Sequence, residues 1–208
     1  MDIFSLQNYF QHLLGRAYTR LARRSFAAFG QGSHMFYPCR INQPGRIYIG
    51  SKTVLFSDVW LNPVIEWGGE SYNGEIVIGD CCHILNNAQI TAASSMRIGN
   101  HVSIGRNVII ADHIHDYRDV SRPILDAPLG NIKPVAIGDE TVVMANTVIA
   151  PGSSIGRHCF IGANSLVRSE IPDYSLAVGS PAKVITRYDL ATGRWERSGA
   201  RDGNPANL

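Results

Sequence analysis

Nowhere in the 208 residues is there an uninterrupted apolar run of about 18, the length a helix needs to cross a bilayer, so no transmembrane span is expected. The N-terminus also lacks a secretory pattern. Its arginines follow the apolar residues instead of preceding them, and no small-residue cleavage site comes after. Cysteine is scarce: Cys39, Cys81, Cys82 and Cys159 form no CxxC pair and show no metal-ligand spacing. They read as reduced thiols in or near the core of a cytoplasmic protein. Charge is scarce too, at 17% of residues with a net of +2, which gives the chain as a whole no strong pull toward nucleic acid or membrane. What remains is 45% hydrophobic, ordinary for one globular domain with appendages.

What is present is a repeat. An aliphatic residue recurs every six positions at Ile78, Ile84 and Ile90, then at Ile98, Ile104 and Ile110. After a break the beat resumes at Ile137, Val143, Ile149, Ile155, Ile161 and Val167, and it is heard earlier at Ile49, Leu55 and Leu61. A period of six is neither that of a helix nor that of a simple strand. Four residues after most of these aliphatics stands a small or β-branched side chain, among them Cys82, Ala88, Ser94, Val102, Thr141, Thr147, Ser153 and Ser165. Strand alternation puts that residue on the same side as the next aliphatic, two positions on. Between them lie glycines (Gly79, Gly99, Gly105, Gly138, Gly156, Gly162) and asparagines (Asn87, Asn107, Asn146, Asn164), residues that tolerate the left-handed backbone of a tight corner.

Each hexad is therefore a short strand plus a corner, and three hexads close an 18-residue triangular coil. This is the hexapeptide parallel β-helix, an all-β fold. Coil starts at 49, 78, 98, 137 and 155 predict five coils with spacings of 29, 20, 39 and 18. The longest spacing hides 21 inserted residues between Ile110 and Ile137, assigned to a loop over 112–136, and the spacing of 29 hides 11 more around Glu66–Gly74. Insertions at one corner of a solenoid tend to build a functional face.

The flanks read differently. Leu6, Phe10, Leu13, Leu14, Ala17 and Leu21 recur at helical spacing, with Arg16, Arg20, Arg23 and Arg24 elsewhere around the wheel. Residues 2–30 are expected to form an amphipathic helix, and two roles fit it. One is a cap that lays its apolar face over the open end of the solenoid or on a neighbouring subunit. The other is a basic helix resting on anionic lipid at the inner face of the membrane. Domain bounds come out as 1–46 for the helix and lead-in, 47–187 for the β-helix and 188–208 for a polar, loose tail.

The segments IGNHVSIGRNVIIADHIH, KPVAIGDETVVMANTVIAPGSSIG, CFIGANSLVRSEIP and AVGSPAKVI resemble the hexapeptide acyltransferases. The resemblance covers about 140 residues in pattern. It extends to the galactoside and maltose O-acetyltransferases, and more closely to those of capsules, O-antigens and exopolysaccharides. One departure is Val142-Val143-Met144 where members typically carry Trp-Ile-Gly. The resemblance implies a left-handed coil, a homotrimer, acetyl-CoA as co-substrate, no metal, and transfer of acetyl to a hydroxyl of a small-molecule or glycan acceptor.

A hydroxyl is a poor nucleophile at neutral pH, so a general base must take its proton, and histidine suits that task. DHIHDY (Asp112–Tyr117) opens the long insertion. By resemblance His113 holds the catalytic position, with His115 the alternative base. Asp112 or Asp116 would orient the imidazole, or else both are solvated loop carboxylates. Asn87 matches the asparagine that positions the acceptor, although a left-handed corner also favours Asn. Ala145, Ala163 and Ser165 match the walls of the slot for CoA between two prisms, and Arg168, Lys183 and Arg187 the place of its phosphates. His83, His101 and His158 read as surface or corner residues.

Two other classes compete. A carbonic anhydrase on the same prism would need three zinc histidines at a subunit interface, and the only close pair here is His113–His115. A non-catalytic scaffold or sugar-binding subunit would fit the missing Trp-Ile-Gly. Within the enzyme class, amino-sugar N-acetyltransferases and serine O-acetyltransferases share the fold.

Overall fold

Alternating burial along each strand turns every sixth residue inward, and the coils stack those residues into one column. The computed structural model describes residues 2–198 as a left-handed parallel β-helix of six complete coils and a partial seventh. Coil 1 uses strands 28–29, 34–35 and 40–41; coil 2 uses 47–49, 54–55 and 60–63; coil 3 uses 75–78, 83–84 and 89–92. Coil 4 follows with 95–98, 103–104 and 109–111, coil 5 with 135–137, 142–143 and 148–149, and coil 6 with 154–155, 160–161 and 166–167. Strands 170–171 and 175–178 begin the seventh, which a strand over 183–189 closes by pairing antiparallel to 175–178.

The register bears out the phase of the hexads, although the coils outnumber the five expected. Ile49 pairs with Ile78, Ile78 with Ile98, Ile98 with Ile137 and Ile137 with Ile155, so the irregular spacings are insertions between coils that remain in phase. Ile84, Ile90, Ile104, Ile110 and Ile161 are fully buried in the column. Each such side chain contributes roughly 1.5–3 kcal/mol by leaving water.

Three expectations are revised. Coil 1 lies before residue 47, where only a lead-in was expected: Phe29 pairs with Ile49 and Met35 with Leu55, and Met35 is fully buried. Apart from Gly152, at φ 79, the glycines of the repeat do not sit at left-handed corners. Gly79, Gly99, Gly138 and Gly156 have ordinary φ, and a Cβ on Gly138 would stand 2.6 Å from the backbone of Gly156 one coil on. They let coils approach, whereas left-handed φ falls on Lys52, Asp58, Cys81, Asn87, His101, Asn107, Glu140, Asn146, His158 and Asn164. The tail is not wholly loose either, since 194–197 pairs antiparallel with 183–189; residues 199–208 lie outside the described part.

The helix, α1, spans Ile3–Ala22 and packs on the start of coil 1. Its apolar stripe does not face the prism. Gly15 and Thr19 are buried and Tyr18 and Ala22 half-buried, while Leu6, Phe10, Leu13, Leu14 and Leu21 are exposed. The contact is close and partly polar. The Thr19 hydroxyl accepts from the Met35 N–H at 2.8 Å, and a Cβ on Gly15 would lie 3.0 Å from the Met35 carbonyl. A larger residue at 15 would push the helix off, so shape rather than hydrophobicity sets which side docks.

Candidate active site

Both insertions leave the prism at the same edge, after the third strand of coils 2 and 4. The shorter folds as a hairpin with strands 66–67 and 70–71. The longer begins by pairing 114–115 antiparallel with 129–130. The two loops meet. The Trp67 ring lies 4.9 Å from that of His115, the Leu129 N–H donates to the Tyr72 hydroxyl at 2.8 Å, and Val64, Ala93 and Leu129 form a small second core. Gly68, at φ 58, fits because a Cβ there would come within 2.5 Å of the Ala127 carbonyl.

Under this joined pair of loops sits Asp112, with no exposed surface. One carboxylate oxygen accepts from the Ala93 N–H at 2.7 Å, and the other from the Ser94 N–H at 2.7 Å and its hydroxyl at 2.8 Å. The first oxygen also faces Nδ1 of His113 at 2.8 Å. Burial pushes the Asp112 carboxyl up, but the hydrogen bonds from His113, Ala93 and Ser94 together outweigh it, and the group stays below its ordinary range. A carboxylate only accepts, so Nδ1 must carry the proton and Nε2 is left with its lone pair. Among the described residues no hydrogen bond occupies that nitrogen, and the side chain is 13% exposed. The arrangement fixes one ring tautomer and aims an acceptor into the space beside the loops, as a general base requires.

The other residues singled out in the sequence divide. His115 is exposed, and its ring packs against Trp67. Asp116 does not orient the imidazole. It is taken up by Arg118, whose guanidinium, the largest influence on it, holds the carboxyl at about 2. Asn87 occupies a left-handed corner in a row with Asn107, Asn146 and Asn164. Asn107 donates to Asn146 at 3.0 Å and Asn146 to Asn164 at 3.2 Å, whereas the exposed Asn87 amide makes no hydrogen bond among the described residues. Ala145 is half-buried and Ala163 exposed, on successive coils. Ser165 is a correction: it is buried and its hydroxyl accepts from the Gly179 N–H at 3.1 Å, so it closes the prism and lines no outer slot. Arg168 and Lys183 lie toward one rim, where the Ala182 N–H donates to the Leu166 carbonyl. Arg187 lies at the other end of its strand, paired with Ser175 and donating to the Asp173 carbonyl, and does not join them.

Sequence reasoning missed Ser94 and Ala93 as the anchors of Asp112, and Trp67 and Tyr72 as the partners of the long loop. It also missed a cleft of about 620 Å³ lined by Asn42, Gln43, Trp60, Asn62, Glu66 and Trp67, on the same edge. Among the described residues no three His, Cys, Asp or Glu side chains converge as metal ligands, and no helix is long and apolar enough to cross a membrane.

Residues 134–169 match the bacterial transferase hexapeptide (six repeats) family. WbbJ of Escherichia coli, provisionally named a lipopolysaccharide biosynthesis O-acetyl transferase, is 32% identical over 171 residues, 78% of this chain and 82% of that one. Rv3034c of Mycobacterium tuberculosis, provisionally named an acetyltransferase, is 36% identical over 132 residues, which are 63% of this chain and 42% of that longer protein. Among solved structures, a point mutant of the Bacillus cereus N-acyltransferase AntD in complex with dTDP and coenzyme A superposes with a TM-score of 0.68 at 19% identity, over 83% of this chain and 90% of that one, a likeness of fold. A hexapeptide-repeat acetyltransferase of Vibrio cholerae complexed with acetyl-CoA gives 0.53 at 25% identity, over 81% and 74%. The chain belongs to the hexapeptide-repeat acyltransferase family.

Proposed function

We propose that the protein transfers an acetyl group from acetyl-CoA to a hydroxyl of a sugar during synthesis of a surface polysaccharide, with His113 as general base in a ternary complex. The observation that carries this reading is the Asp112–His113 pair, whose buried carboxylate fixes Nδ1 and leaves Nε2 free at the edge where both insertions gather. Nε2 accepts the hydroxyl proton as the oxygen attacks the thioester carbonyl. The tetrahedral intermediate then collapses, the carbon–sulfur bond breaks, and His113 returns the proton to the departing thiolate. The buried Asp112 charge stabilises the imidazolium between those two transfers.

The cleft on the insertion edge supports a carbohydrate acceptor. Trp60 and Trp67 together with amides and a carboxylate from Asn42, Asn62 and Glu66 suit a polyhydroxylated ring. Similarity to WbbJ supports a polysaccharide rather than an amino-acid acceptor. Ala145 and Ala163 give a low wall that becomes a slot for CoA once a second prism closes it, and Arg168 and Lys183 offer cations to its phosphates. The reading therefore requires a homotrimer, in which Asn87 reaches the acceptor across the interface. The test is CoA release from acetyl-CoA over a panel of glycans by wild type and His113→Ala. Turnover that needs a glycan and falls by about 10²–10⁴-fold in the variant supports the reading; turnover indifferent to His113 overturns it.

A further inference from the structure

The first 57 residues hold seven Lys and Arg (Arg16, Arg20, Arg23, Arg24, Arg40, Arg46, Lys52) and one acid, Asp2, a net of +6; the other 12 bases and 16 acids leave −4 on the rest. The near-neutral total thus conceals a strongly basic N-terminal end on an acidic body. Within that end, α1 turns its apolar stripe away from the prism: Ile3 is 74% exposed, Leu14 59% and Leu21 81%, with Leu6, Phe10 and Leu13 beside them. At 3.6 residues per turn, Arg16 and Arg20 run along one edge between the docked stripe and this outward apolar face, and Arg23 continues the edge. None of these arginines joins an ion pair among the described residues. Between that edge and coil 1 opens a cleft of about 670 Å³, lined by His12, Arg16, Arg20, Arg23, Ser33 and His34.

We propose that α1 docks the enzyme on an anionic lipid bilayer, its apolar face sunk among the acyl chains and its arginine edge, with the cleft behind it, holding lipid phosphates. Three features point to a bilayer rather than a second protein copy. The apolar side chains share one face with a cationic border, the arrangement of an interfacial helix. The charges are unpaired and of one sign, so a second copy would bring arginines against arginines. The charge separation along the molecule also turns this end toward a negative surface before contact. The Gly15 and Thr19 contacts hold the helix rigidly to coil 1, so the prism travels with it to the membrane. The inference does not depend on the acyl-transfer reading.

The test is co-sedimentation of the full chain with vesicles of phosphatidylcholine alone and of phosphatidylcholine mixed with phosphatidylglycerol. Binding is expected only to the mixed vesicles and should weaken as salt rises. Arg16→Gln/Arg20→Gln/Arg23→Gln should lower partitioning by about 10²-fold, a factor of about five for each charge at the surface. Leu13→Gln/Leu21→Gln should lower it at least about tenfold through the lost apolar burial. All three side chains of the first variant and both of the second are exposed, so the melting temperatures should match wild type. No binding at low salt overturns the proposal, as does equal binding to both vesicles with the arginine variant unaffected. A leucine variant that keeps vesicle binding but falls in sedimenting mass overturns it also, and assigns the face to a second copy.

Discussion

Replacing Asp112 by Asn keeps the side chain's size and removes its charge, and the four hydrogen bonds on the carboxylate leave the amide two ways to sit. Either the Asn oxygen serves Ala93 and His113 while its NH₂ meets the Ser94 N–H, or the amide turns over and its NH₂ meets the Ala93 N–H and the imidazole. In both orientations one buried backbone N–H loses its acceptor, at a cost of about 1–3 kcal/mol in stability. In the second, the ring must also accept at Nδ1, so the proton moves to Nε2 and the base is lost. A carboxylate-to-amide exchange behind a catalytic histidine that reverses the tautomer lowers turnover by about 10⁴-fold in the Ser-His-Asp template. The first orientation loses only the charge that stabilises the imidazolium, for about tenfold. Asp112→Asn is therefore expected to lose between about ten- and 10⁴-fold in kcat with KM for acetyl-CoA nearly unchanged, read by thiol release. A folded variant with kcat within a few-fold of wild type would refute the role given to the dyad.

Asp112 also sets an acid limit. Its folded carboxyl titrates below the unfolded value near 3.9, so the stability it contributes is fully present above that pH and is lost as pH falls through the folded pKa. The urea midpoint of wild type should stay above that of Asp112→Asn down to about pH 5, and the two should converge below about pH 4; a gap already closing at pH 6 contradicts the assignment. His115→Ala, which loses only its exposed packing on Trp67, should cost a few-fold at most in turnover, and a greater loss than in His113→Ala would transfer the base to His115. Ser165→Ala should lower stability by about 1 kcal/mol through the freed Gly179 N–H while leaving KM for acetyl-CoA intact; a raised KM would return it to the slot. Sedimentation equilibrium should give a trimer at micromolar concentration, and an active monomer would end the shared-slot account.

The hexad period was legible because each coil must place an aliphatic residue at the same point of the triangle, and the 29, 20, 39 and 18 spacings reappear unchanged as strand pairings. Coil 1 hid because its inward positions are Phe29, Met35 and Ile41, an aromatic and a thioether ahead of one aliphatic, although they too stand six apart. The helix was legible but its orientation was not. Hydrophobic periodicity marks the apolar face, and here the docked face is chosen by the small Gly15 and the hydrogen-bonding Thr19. At the site, Asp112 and His113 are neighbours in sequence and so could be read together. Ala93 and Ser94 stand 19 and 18 residues before Asp112, and only the stacking of one coil on the next brings them to its carboxylate. Their one trace in the sequence is the eight-residue step from Ile90 to Ile98, where a hexad would have six. The meeting of Trp67 with His115 left no trace, since both lie in insertions outside the repeat.

If the Nε2 of His113 activates a sugar hydroxyl toward acetyl-CoA, the product must carry a new ester. Incubation with acetyl-CoA and a glycan carrying both hydroxyl and amino groups, followed by mass spectrometry before and after mild alkali, distinguishes the two outcomes. The expected product is an added acetyl that alkali removes, as an ester requires, and that His113→Ala does not form. An acetyl that survives alkali, as an amide does, would contradict it.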